Sequence, residues 1–220
     1  MQQLPHNFEL LATHGGKWHA DDVLGRCLTL YLGFPGQFVR LQEKPSAALL
    51  NNTRALIWDI GLEYNPILNN FDHHQDGNLP CACVLMLRHF YPAGAVRDFV
   101  ENKLFTYVSH VDTGRIVEQS GHEYTVPTFN SVIRALNYLG DFDKAVQVAL
   151  PILESTFIHA KVFAKEEEIW KRFVMVRNRV AFYDGDNPIT TWRDLGIKYG
   201  ADVLICIDPR SKNGWRLEVR

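Results

Sequence analysis

Asp72-His73-His74, which follows Asn70-Phe71, sets a carboxylate beside two imidazoles. Such groups are unfavourable to bury without partners, and in an extended segment neighbouring side chains point to opposite faces. One imidazole can take a metal while the other holds the site or meets a substrate; the plainer reading is a polar loop with two solvated histidines. More donors lie along the chain. His14, His19 and Asp21 share the turn Thr13-His14-Gly15-Gly16-Lys17-Trp18-His19-Ala20-Asp21-Asp22, Asp59 ends an apolar run, and Asp112 closes a helical stretch beside His110. Each acid also has a plain reading: Asp21 and Asp22 suit a helix N-terminus, Asp59 a turn, and Asp112 a helix end before Gly114. Together the donors are all nitrogen or oxygen, which suits two divalent ions, Mn²⁺ or Mg²⁺, with Co²⁺ or Zn²⁺ also accepted. Two ions about 3.5–4 Å apart clamp a phosphoryl group, lower the pKa of a water and stabilise the leaving oxygen, so the implied chemistry is in-line hydrolysis of a phosphate ester.

Elements that position these groups are legible in the hydrophobic pattern. Phe8 to Thr13 reads as a strand, Ala20 to Leu32 as a helix, Gln37 to Leu41 as a strand, Pro45 to Asn52 as a short helix and Arg54 to Gly61 as a buried strand. Helices follow from about Cys81 to Phe90 and from Ala93 to about His110. Alternating strands and helices predict an α/β domain over residues 1–120 with a parallel sheet, and its donors lie at the carboxyl ends of strands, where open sheets bind ligands. Thr128 to Leu139 and Asp143 to about Val174 predict a helical connector over 121–175, with a kink expected at Pro151. The charges of Ala160 to Arg172, including Glu166, Glu167 and Glu168, read as a solvated helix face. A small α+β unit over 176–220 closes the chain, with strands at Arg179 to Tyr183 and Asp202 to Asp208, a helix between them, and a final hairpin strand from Trp215.

The chain has 220 residues, 46% hydrophobic and 22% charged, as in ordinary globular proteins. Cys27, Cys81, Cys83 and Cys206 fall in apolar runs without Cys-x-x-Cys pairing and read as core residues in a reducing compartment. No apolar run approaches the roughly 20 residues of a membrane span, and the start lacks a signal-peptide layout, so a cytoplasmic protein is expected. A net charge of −2 argues against a general polyanion binder. From Leu150 onward the balance is +2 against −4 before it, which hints at a C-terminal anion grip.

The order His14-x4-His19-x-Asp21, Asp59, Asp72-His73-His74, Asp112 resembles the Asp-His-His (DHH) phosphoesterase superfamily. More narrowly, Thr13-His14-Gly15-Gly16-Lys17-Trp18-His19-Ala20-Asp21-Asp22, Trp58-Asp59-Ile60-Gly61 and Phe71-Asp72-His73-His74-Gln75 are similar to its Myg-type branch, described as metal-dependent hydrolases and, in eukaryotes, 3′-to-5′ RNA exonucleases. Val203 to Asp208 and Gly214 to Leu217 resemble that branch's late strands. The resemblance implies a DHH-like metal-binding domain at 1–120 and a smaller C-terminal domain on the substrate side. It implies that His14, His19 and Asp59 hold one ion, that Asp21, Asp59, His73 and Asp112 hold the other with Asp59 bridging and Asp112 a further candidate bridge, that His74 acts on the substrate side, and that Asp72 orders the turn. Asp22 stands where a Glu is usual, and His110 reads as a supporting residue. Longer relatives continue into a Gly-rich segment with a substrate-gripping His, which this sequence does not contain, so the grip is expected from Arg210, Lys212 and Arg216, or from Lys161, Lys165 and Arg172.

The expected function is a two-metal phosphodiesterase or 3′-to-5′ exonuclease on single-stranded RNA or short oligonucleotides, and a homodimer is compatible with it. The alternatives are a hydrolase of small phosphate compounds and a non-catalytic, metal-stabilised binding module.

Overall fold

A computed structural model describes residues 7–116, 127–208, 210 and 214–220. The chain divides into two compact units, residues 1–156 and 157–220, where the sequence pattern suggests boundaries near 120 and 175.

In the first unit, strands β1 (Leu10–His14), β2 (Gln37–Leu41), β3 (Ala55–Trp58), β4 (Tyr64–Asn65) and β5 (Asn70–Phe71) form one sheet in the order β2-β1-β3-β5-β4. All neighbours are parallel except β4 with β5. Every residue of β3 is buried, as expected for a central strand covered on both faces. Helices α1 (Ala20–Tyr31) and α2 (Ala47–Leu50) follow β1 and β2. Ala12, Ala55 and Ile57 meet Leu49 and Leu50 of α2 on one side. Val23, Leu24, Cys27 and Leu28, spaced to share one stripe of α1, are fully buried, and α1 packs on α3 (Ala82–Phe90).

Gly25 is the point where α1 approaches β3 closely, because a Cβ there would land on the Trp58 indole. Gly25→Ala is therefore expected to destabilise the protein by about 1–3 kcal/mol, read as a lower denaturant midpoint.

The helix expected from Ala93 to His110 is divided into α4 (Ala95–Val100), a π-helical turn (Glu101–Phe105) and α5 (Thr106–Asp112). No Pro or Gly interrupts Ala95 to Asp112, so sequence pattern alone could not reveal the break. α6 (Phe129–Leu136), a 3₁₀ turn (Asn137–Leu139) and α7 (Phe142–Phe173) follow, and Pro151 lies within α7.

The second unit holds the end of α7 and a sheet ordered β6-β7-β8-β9: β6 (Met175–Arg177), β7 (Val180–Tyr183), β8 (Val203–Ile207) and β9 (Trp215–Val219). β7 and β8 are parallel and joined through α8 (Trp192–Tyr199), and the other pairs are antiparallel. Two acids of the supposed solvated face of α7 are in fact buried, Glu166 at 8% and Glu167 at 2% exposure. The Glu166 carboxylate accepts hydrogen bonds from the backbone N–H groups and hydroxyls of Thr190 and Thr191 just before α8, at 2.7–3.0 Å. Glu167 accepts from the Tyr199 hydroxyl at 2.7 Å.

Candidate functional site

The donors predicted as ligands converge at the carboxyl ends of the first sheet's parallel strands. β1 delivers His14 and β3 delivers Asp59, whose backbone is left-handed at φ 57°. Asp tolerates that region better than most residues, and here the reversal ends the strand on a carboxylate. Asp72 and His73 follow β5, and Asp21, Asp59, Asp72 and His73 are all buried.

Asp21 lies in the first turn of α1 and receives the Ala82 and Cys83 N–H groups at the start of α3, at 2.8 and 2.6 Å. Its Oδ2 is 3.8 Å from His73 Nε2. His73 Nε2 is also 3.3 Å from Asp59 Oδ1 and 3.1 Å from Asp112 Oδ2 at the end of α5. Adjacent ligands of an octahedral ion with bonds of about 2.1 Å stand about 3.0 Å apart, so these spacings resemble the edges of a coordination shell. His73 Nε2 and Asp59 Oδ1 are also shut from solvent with no hydrogen-bond partner among the described residues, an arrangement that is unfavourable unless something else pairs with them. The residues fit a divalent cation.

Asp59 Oδ2 lies 3.5 Å from His14 Nε2. His14 Nδ1 bonds the Gly15 carbonyl at 2.7 Å. As donor, Nδ1 leaves the Nε2 lone pair of the neutral ring turned to the acids, the tautomer a metal ligand needs. His19 is more peripheral, with its side chain 67% exposed and Nδ1 3.8 Å from Asp112 Oδ1.

Asp22 enters this group although its sequence position suggests only a helix cap. Its Oδ2 accepts from the His19 N–H and stands 2.9 Å from His14 Nε2, and its Oδ1 accepts from the Thr13 hydroxyl. The cap is real, yet the same carboxylate belongs to a His14, His19, Asp22 set able to hold an ion. The sequence signal was the second acid of the Asp21-Asp22 pair within a His-bearing turn.

Electrostatics follow from packing acids out of water. Burial and the charges of Asp59 and Asp112 push the Asp21 carboxyl well above its usual range, and burial with the Asp59 charge raises Asp22 against the pull of His14. Burial would also raise Asp59, but His14 and His73 outweigh it and hold Asp59 low. Asp22 and Asp59 lift His14 to about 11. Burial would lower His73, yet Asp112 and Asp59 lift it to about 10. Without a cation, protonated imidazoles supply the countercharge.

His74 Nδ1 lies 3.6 Å from Asp59 Oδ1, and Asp59, His73 and His74 form a further set able to hold an ion, but the shorter contact of His74 is with Asp72. Asp72 Oδ1 takes the His74 Nδ1 at 2.6 Å and its backbone N–H at 3.1 Å, while Asp72 Oδ2 accepts from the Leu62 N–H. Burial alone would raise Asp72, but these bonds hold it near 2. The His74 side chain is 52% exposed and lines a cavity of about 300 Å³ with His14, Asp59, Asp72 and Lys44. A second cavity, of about 170 Å³, touches the group through His19 and Asp112.

Cys81 and Cys83 approach Asp21 as well, but burial pushes the Cys81 thiol up to about 12 and raises Cys83 too, so both pack as neutral thiols. Of the expected anion-gripping residues, Arg210 and Arg216 lie in the second unit and pair with Asp208 and Glu218. Lys212 lies outside the described residues.

Residues 10–80 match the model of the family MYG1_exonuc, described as "Uncharacterised protein family (UPF0160)". No curated protein matches. Among solved structures, the pGpG-specific phosphodiesterase PggH from Vibrio cholerae is similar at 14% identity and a TM-score of 0.35, over 91% of this chain and 77% of that one.

Proposed function

We propose that the chain, whose residues 10–80 match the MYG1_exonuc family model, is a divalent-metal-dependent phosphodiesterase that removes nucleotides from one end of single-stranded RNA or short oligonucleotides, in the 3′-to-5′ sense. The observation that carries this reading is Asp59, whose two carboxylate oxygens face different histidines, Oδ2 toward His14 and Oδ1 toward His73. Asp59 could therefore serve two ions: His14, His19 and Asp59, with Asp22 beside them, would hold one, and Asp21, Asp59, His73 and Asp112 would hold the other. Such a pair of ions, Mn²⁺ or Mg²⁺, would neutralise the phosphate and make a water acidic enough to attack.

The chain's own residues do the rest. Asp72 fixes His74 through Nδ1 and leaves Nε2 for a phosphate oxygen at the larger cavity. Gly15 fixes the His14 tautomer, and the α3 N–H groups hold the Asp21 carboxylate in place.

End-labelled single-stranded RNA incubated with Mn²⁺ should shorten stepwise. His74→Ala should slow this about 10²-fold while Mn²⁺ binding stays as in the wild type. A wild-type protein that binds Mn²⁺ but leaves RNA and DNA intact sinks the nuclease reading. Phosphate release from nucleotides or pyrophosphate would then identify a small-molecule hydrolase, and thermal stabilisation by metal with no hydrolysis a binding module.

A further inference from the structure

The two cavities beside the metal-ligand group have no lining residue in common. One meets the group through His14, Asp59 and His74, the other through His19 and Asp112. A phosphate held at the group therefore has room for a substituent on each side, which a diester needs and a free phosphate does not.

The smaller cavity, about 170 Å³, falls below the roughly 300–1,000 Å³ of sites that enclose whole small molecules. It suits one ring system attached to something held outside it. Its walls include Trp18, Val111, Asn130 and Arg134. Asn130 is 9% exposed and its Oδ1 has no hydrogen-bond partner among the described residues; Trp18 is 4% exposed with its Nε1 equally unpartnered. Buried polar atoms left without partners are rare in folded proteins. A carboxamide carries a donor and an acceptor side by side, the pattern that matches the edge of a nucleobase, and a guanidinium plane such as that of Arg134 also lies well against a base.

We propose that this cavity receives the base of the terminal nucleotide, with the Asn130 amide reading its edge while the attached phosphate lies at the metal-ligand group. The proposal rests on the phosphodiesterase reading for the role of that phosphate, and the pocket itself is tested by binding alone. Its residues come from the turn before α1, from α5 and from α6, all within the first unit.

The full-length protein, loaded with Mn²⁺, is titrated calorimetrically with adenosine 5′-monophosphate and separately with inorganic phosphate. The expected result is AMP binding at least about tenfold tighter than phosphate, the size of a base-edge hydrogen-bond pair. Asn130→Leu removes the amide and Val111→Phe fills the cavity; each should bring AMP down to the level of phosphate while Mn²⁺ and phosphate binding stay unchanged. AMP binding no tighter than phosphate in the wild type overturns the proposal, and this comparison needs no variant to fold. AMP affinity kept by both folded variants overturns it too. The two readings fail separately: an AMP preference abolished by both variants, without hydrolysis of any diester, supports the pocket and removes only the catalytic reading. Stepwise RNA shortening without an AMP preference removes only the pocket.

Discussion

Asp59→Asn is expected to lower Mn²⁺-dependent hydrolysis by about 10³-fold or more, beyond the 10²–10³-fold typical of removing a single stabilising group, because among the described residues Asp59 is the carboxylate that faces both His14 and His73. Asn keeps the side-chain shape and tolerates the left-handed backbone at φ 57°, so folding should survive while the charge goes. A kinetic assay alongside Mn²⁺ titration by electron paramagnetic resonance checks this. The variant should unfold cooperatively near the wild-type temperature yet bind Mn²⁺ weakly at both positions. Retention of two tight Mn²⁺ sites would remove Asp59 from the bridging role.

Metal removal is expected to have the second-largest effect, and its sign depends on pH. Mn²⁺ at about 100 times its Kd should stabilise the loaded unit by about 2.7 kcal/mol, or roughly 5–10 °C in Tm. In the metal-free protein His14 and His73 have pKa values raised to about 11 and about 10. A raised pKa in a cationic group stabilises the fold fully below the unfolded value of about 6.5 and loses that contribution as pH climbs toward the folded value. The protein in EDTA should therefore have a higher Tm at pH 6 than at pH 9. Metal must displace those protons, so Mn²⁺ affinity should rise over the same interval and the gap between loaded and EDTA-treated Tm should widen. Thermal unfolding at both pH values, with and without Mn²⁺, checks it; a gap that narrows with pH counts against imidazole ligation.

Much of the site is legible in the sequence because its donors fall at the ends of strongly patterned elements. The Leu10–His14 and Ala55–Trp58 strands announce themselves by apolar runs. Pattern alone therefore puts His14, at the end of the first, and Asp59, just past the second, on the sheet's carboxyl edge. Very short strands are not legible: Tyr64–Asn65 and Asn70–Phe71 have two residues each, too few to show a period. Met175–Arg177 is exposed throughout and carries no alternation. Asp22 and Glu166 hide their roles for a shared reason. An acid near a helix end or among lysines has an adequate local explanation, and only tertiary contact reveals that Asp22 also faces His14 and that Glu166 is buried against Thr190 and Thr191. Asn130 gives no signal, since a lone amide in an amphipathic helix looks like surface.

Trp58 is fully buried, immediately precedes Asp59, and donates its indole N–H to the Asp22 carbonyl. Trp18 lies one residue before His19. The first unit thus carries two indoles adjoining residues of the ligand group, and the remaining tryptophans, Trp170, Trp192 and Trp215, belong to the second unit. Paramagnetic Mn²⁺ quenches nearby excited indoles and diamagnetic Mg²⁺ does not, so under the proposed metal dependence the two indoles would report which ion is bound, with no label attached.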